Sequence, residues 1–197
     1  EMGITHDLSG RVKDCLKDPF TLKELKENLR ELFKEATPSQ KIEEDPTASS
    51  LLLLAASNFE IQFDPEDELS ERIIFPVTAL QRNGMEDVRL VAHQDEEGKT
   101  VYYGTYTAYD GRKILPQLFT TEDFRHFKFF TLNGLGVKNK GMALFPRKIN
   151  GHFAMLSRQD GENIFLMYSD NVNFWHKVQL VLEPAFPWEF VKLGNCG

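Results

Sequence analysis

The sequence predicts an all-β fold of the propeller type behind an N-terminal helical segment. Helical periodicity is confined to the first part of the chain, before Leu51. From Leu51 onward, short apolar and aromatic runs are broken every 8 to 12 residues by Asp, Gly and Asn. That second part also repeats itself after about fifty residues, a period that belongs to propeller blades more than to a β-sandwich. The composition supports a packed chain: of 197 residues, 41% are hydrophobic, 12% aromatic and 27% charged, which leaves out disorder and collagen.

The elements follow in order. Thr21 and Glu24 read as a capping box, and Leu22, Leu25, Leu29, Leu32 and Phe33 then recur on one helical face, predicting a helix from Leu22 to Ala36. It ends ahead of Thr37-Pro38, because a residue before proline is pushed out of the helical region. Such a Leu stripe more often covers its own core than docks a partner. Lys41–Ser50, with Glu43-Glu44-Asp45-Pro46, reads as a linker. Residues 1–48 are thus a helical prefix and linker, and 49–197 a partial propeller domain of about two and a half blades.

Two hairpins stand out in the second part. Val88–His93 is followed by the turn Asp95-Glu96-Glu97-Gly98 and by Val101–Thr107. Ala143–Ile149 is followed by Asn150-Gly151, the strongest hairpin turn signal, and by His152–Ser157. Superposing them sets Tyr103 on Phe153. Further on, Leu118, Thr121, Asp123, Phe124 and Phe127 match Leu166, Ser169, Asn171, Val172 and Trp175 at a constant separation of 48. A propeller closes with four to eight blades, so the chain is expected to be a fragment, inactive by itself, of a longer protein. Its bare blade edges favour association into a homo-oligomer.

The net charge of −7 is uneven: residues 101–197 hold 11 basic and 8 acidic side chains, against 4 and 11 in residues 51–100. Overall acidity argues against nucleic acid as a partner, whereas the later half could hold a small anion. Cys15 and Cys196 form no framework, and His6, His93, His126, His152 and His176 show no ligand spacing, so no metal is expected. The longest apolar run is Leu51–Ala56, too short for a membrane helix, and Glu1 does not open a signal-peptide layout; the expectation is a soluble, cytoplasmic chain.

Two segments open the repeats and are where chemistry is sought. In Asn83-Gly84-Met85-Glu86-Asp87-Val88-Arg89, strand alternation places Asp87 and Arg89 on one face, looking into a channel if Val88 and Leu90 pack between blades. Asp87 is then either a general acid or half of a structural pair with Arg89. Lys138–Lys148 holds five basic or amide side chains, suited to phosphate or simply a solvated edge. Tyr106, Tyr109 and Trp175 could stack on sugars, though aromatics on strands are more often core. No Gly-x-Ser-x-Gly elbow is present for a serine nucleophile.

At these residues the sequence resembles glycoside hydrolase family 130, five-bladed propellers acting on β-mannosides as phosphorylases or hydrolases. The resemblance lies in Gly84-Met85-Glu86-Asp87-Val88-Arg89, Tyr103–Gly111, Lys140–Gly151 and Ser169–Trp175. It implies part of a five-bladed β-propeller whose Asp87 is the proton donor. Inorganic phosphate serves as nucleophile with inversion, needing no enzyme nucleophile and no cofactor. It further implies Arg112 and Lys148 as phosphate contacts, Arg89 as orienting substrate or Asp87, and Asn83, Tyr106 and Asp110 as sugar contacts. An inverting mannosidase, or a propeller that only binds glycans or proteins, is the competing reading. Val88 stands where the family motif often has proline, and Gly141 where an Asp commonly follows Asn-Lys, removing a polar contact near the substrate.

Overall fold

The computed structural model describes residues 6–17, 19–36, 42–190 and 192–195, which form two compact units, Glu1–Asn58 and Phe59–Gly197. The first unit is helical: α1 (His6–Cys15), α2 (Leu22–Ala36) and α3 (Pro46–Ser57). Helix α2 has the bounds its Leu spacing predicts. At its start the Thr21 amide donates to Glu24 Oε2 at 2.7 Å and the Glu24 amide donates to Thr21 Oγ1 at 3.2 Å. The Thr21 amide, followed by the Thr21 hydroxyl that also donates to Glu24 Oε2, holds the Glu24 carboxyl below its ordinary pKa. Leu25, Leu29, Leu32 and Phe33 pack with Val12 of α1 and Ala48 of α3. Thr37 and Pro38 lie outside the described residues.

Two expectations are corrected in this unit. Lys41–Ser50 is not simply a linker, and Leu51–Ser57 is not strand, because α3 runs through both. Asp45 starts it: its Oδ1 accepts from the Thr47 and Ala48 amides at 2.9 Å each, and Pro46 occupies a first-turn position where no amide is needed. The boundary between helical and β structure therefore falls after Asn58 rather than after residue 48.

The second unit is built of antiparallel strands: β1 (Phe59–Gln62), β2 (Gly84–Gln94), β3 (Thr100–Tyr109), β4 (Ile114–Thr121), β5 (His126–Thr131), β6 (Ala143–Leu144), β7 (Phe153–Ser157), β8 (Ile164–Ser169) and β9 (Lys177–Leu182). They make two sheets, in the orders β1-β5-β4-β3-β2 and β6-β7-β8-β9. Among the described residues the β structure is these two sheets, and a closed ring of blades is not part of it. Both expected hairpins are present. Asp95 Oδ1 accepts from the Glu97 and Lys99 amides in the first turn, and in the second Asn150 and Gly151 both take positive φ, 52° and 82°, as a type I′ turn requires.

The internal repeat extends to the hydrogen bonds. After β4, Thr121 Oγ1 accepts from the Asp123 amide and Asp123 Oδ1 from the Arg125 amide; after β8, Ser169 Oγ accepts from the Asn171 amide and Asn171 Oδ1 from the Asn173 amide. The same turn is thus built twice, 48 residues apart.

One core joins the two sheets: Leu118, Leu132, Met142, Leu144, Met155, Met167 and Trp175, flanked by Val91, Tyr103 and Phe153. Trp175 is a core residue, fully buried, its Nε1–H donating to the Val172 carbonyl at 2.7 Å. Val88 and Leu90, expected to pack between blades, are 53% and 46% exposed. The face of β2 turned toward the core carries Arg89, Val91 and His93 instead. His93 is buried against the rings of Tyr103 and Phe153, and that burial, followed by the Lys148 charge, lowers its pKa.

Candidate active site

Strand alternation does not operate at Asp87. Glu86 pairs with Thr107 and Arg89 with Thr105, so Asp87 and Val88 together oppose Tyr106 in a β-bulge, with Asp87 at φ 54°. The extra residue re-aims the chain, so that Asp87, Val88 and Arg89 all border one open cleft of about 410 Å³. Lys140, Arg158 and Lys192 complete its lining, giving four cations around one carboxylate. Lys140 Nζ lies 3.1 Å from Asp87 Oδ2, both side chains partly exposed.

The two guanidinium groups are each held by a backbone carbonyl. Arg158 Nη1 donates to the Leu193 carbonyl at 3.3 Å, and Arg89 Nη1 donates to the Asn195 carbonyl. Gly141 has φ 79°, and a Cβ there would stand 2.7 Å from Arg158 Nε. Glycine thus serves both the left-handed backbone and the close approach of the guanidinium. This is the physical content of the departure noted at position 141: the absent side chain makes room for a cation. Arg158 Nε is buried with no hydrogen-bond partner among the described residues.

The other expected site residues are placed as follows. Asn83, Asp110 and Arg112 lie at the same end of the first sheet as Asp87, because Gly84 pairs with Tyr109 and the Asn83 amide donates to the Tyr109 carbonyl at 2.9 Å. They do not line the cleft. Asp110 Oδ1 accepts from the Lys113 and Arg112 amides, at 2.6 and 2.8 Å, which closes the β3–β4 turn and lowers the Asp110 pKa. Tyr106 is 2% exposed, its hydroxyl accepts from Gln81 Nε2 at 2.7 Å, and burial raises its pKa; its ring lies among Phe119 and Phe129. Lys148 pairs with Glu96 at 3.5 Å and overlies Phe153. It therefore stands past the far end of β2, roughly 20 Å or more from Asp87 at the rise of a strand.

Lys140, Arg158 and Lys192 are the functional candidates that motif reading did not single out. Lys140 falls inside the basic segment Lys138–Lys148, so composition pointed near it; nothing local marks Arg158 or Lys192. Among the described residues no group of three His, Cys, Asp or Glu is placed to hold a metal, and no helix is long and apolar enough to cross a membrane.

No protein-family model matches the chain. A 1,2-β-oligomannan phosphorylase of a Thermoanaerobacter species is 27% identical over 132 residues, covering 66% of this chain and 43% of that protein. A β-1,4-mannooligosaccharide phosphorylase of Ruminococcus albus is 32% identical over 80 residues, 38% of this chain and 24% of that protein. The chain thus spans less than half the length of the curated relatives it matches. Among solved structures, a β-1,2-mannobiose phosphorylase of Listeria innocua in complex with β-1,2-mannobiose matches with a TM-score of 0.50 at 23% identity, over 60% of this chain and 34% of that one, a likeness of fold. The chain is therefore homologous to the β-mannoside phosphorylases of glycoside hydrolase family 130.

Proposed function

We propose that this chain supplies the acid and the phosphate site of an enzyme that cleaves β-mannosides by inverting phosphorolysis. The observation that carries the reading is the cleft itself, in which Asp87 is ringed by Arg89, Lys140, Arg158 and Lys192. Arginine grips a phosphate by its fork and lysine by point charge. Phosphate is assigned to Arg89, Lys140 and Arg158 rather than to Arg112 and Lys148. Asn83 and Arg112, at the Asp87 end of the first sheet, are assigned to the sugar side.

In the proposed reaction the bond between the anomeric carbon and the glycosidic oxygen breaks as a phosphate oxygen bonds to that carbon from the opposite face. The Asp87 proton, passed through a sugar hydroxyl as the resemblance implies, ends on the departing oxygen. The proton of the attacking hydrogen phosphate replaces it. Lys140 stands where it can touch both the acid and the anion, so that nucleophile and proton donor are set at one place. The two sheets are read as successive blades of a five-bladed propeller, a reading supported by the duplicated turns at Thr121 and Ser169 and by the fold likeness.

The test is binding of inorganic phosphate to the full-length protein by titration calorimetry. Arg158→Ala is expected to weaken binding by about tenfold to a hundredfold, the range for losing charge-assisted hydrogen bonds. Unchanged affinity in that variant would remove the phosphate assignment.

A further inference from the structure

We infer that Asn195 is a positioning residue that sets the geometry of the phosphate clamp; this rests on the proposed phosphate site. Asn195 is bonded on both of its sides. Its side-chain Nδ2 donates to the Gly141 carbonyl at 2.7 Å, and its own carbonyl accepts from Arg89 Nη1. Gly141 is the residue against which Arg158 packs, and it directly follows Lys140. One residue therefore ties Arg89, on β2 of the first sheet, to the segment that carries Lys140 and seats Arg158 ahead of the second sheet.

The chemistry makes the tie consequential. Four cations converge on one carboxylate without a second acid in the cleft lining, and they repel one another until an anion arrives. A guanidinium anchored through one nitrogen to a carbonyl keeps its other N–H groups aimed in fixed directions, whereas a free one must be ordered when the ligand binds. Leu193 does this for Arg158 and Asn195 for Arg89. The Asn195 amide adds the link that keeps the two anchored groups in register across the gap between sheets. The side chain touches no reacting atom in this account, so its effect is on phosphate binding and not on proton transfer.

The experiment uses the full-length protein and measures phosphate affinity by calorimetry alongside steady-state kinetics. Asn195→Ala is expected to raise the phosphate Kd and KM about five- to tenfold, with kcat at saturating phosphate and the KM for the mannoside changed by less than about twofold. Asn195→Asp keeps the size but loses the donor, and it is expected to lose at least as much affinity, which covers a poorly folding alanine variant. A double-mutant cycle separates positioning from plain packing: in an Arg89→Lys background, Asn195→Ala should add less than about twofold. Equal losses in both backgrounds, or unchanged affinity in Asn195→Ala, would overturn the inference alone. No phosphate binding to the unsubstituted protein would sink the phosphate site and this inference together.

Discussion

Asp87→Asn in the full-length protein is expected to lower kcat on an oligomannoside by about 10²- to 10⁴-fold, the range for losing a general acid. KM for phosphate should move little, since the cations are retained. The variant should fold. Asparagine is among the few residues at home in the left-handed region that Asp87 occupies at φ 54°. The Asp87–Lys140 pair is partly exposed, and such pairs contribute about 1 kcal/mol or less. The loss should shrink when the leaving group is a nitrophenol, which departs without protonation. That dependence marks an acid, because a purely binding role would be lost to the same extent on both substrates. Preserved turnover in Asp87→Asn would end the assignment.

Trp175→Ala is expected to destabilise the chain by about 3–5 kcal/mol, the range for emptying a large buried aromatic site. Trp175 is 0% exposed and lies in the core that joins the two sheets, and its indole N–H is satisfied by the Val172 carbonyl. Its loss therefore opens a cavity, removes a hydrogen bond and loosens the core shared by the two sheets. The control is Trp188→Ala. Trp188 is 76% exposed and stacks on Phe186, so about 1 kcal/mol or less is expected. Denaturant midpoints followed by near-ultraviolet circular dichroism measure both. Equal shifts for the two tryptophans would contradict the described core.

Local signals carried far in this sequence, and long-range placement did not. Helix α2 could be read to its ends because Thr21, Glu24 and the Leu stripe act within one helix. The hairpins could be read because Asn150-Gly151 and Asp95–Gly98 specify turns by backbone conformation alone. Helix α3 is not legible from periodicity even though its start signal, Asp45 before Pro46, is present. The run Leu51–Ala56 is apolar on every face and has no period, so periodicity could not choose between strand and helix. At the site, the motif points to Asp87, which lines the cleft. The bulge that aims it is not legible there, since one extra residue in a ladder leaves no compositional trace. Lys148 lies away from the cleft because the chain from Lys140 to Lys148 runs alongside β2, carrying one lysine to the Asp87 end and the other to Glu96. Arg158 and Lys192 reach the cleft, and Asn195 reaches Arg89 and Gly141, only through the packing of two sheets, which no spacing within either one encodes.

The most direct test of the account is product analysis with the full-length protein. It is incubated with β-linked mannobiose and mannosyl-glucose, with and without inorganic phosphate, and the sugar products are identified. The account predicts α-mannose 1-phosphate, the inverted anomer, formed only when phosphate is present and in proportion to its occupancy of the site. Free mannose released at the same rate without phosphate would contradict it.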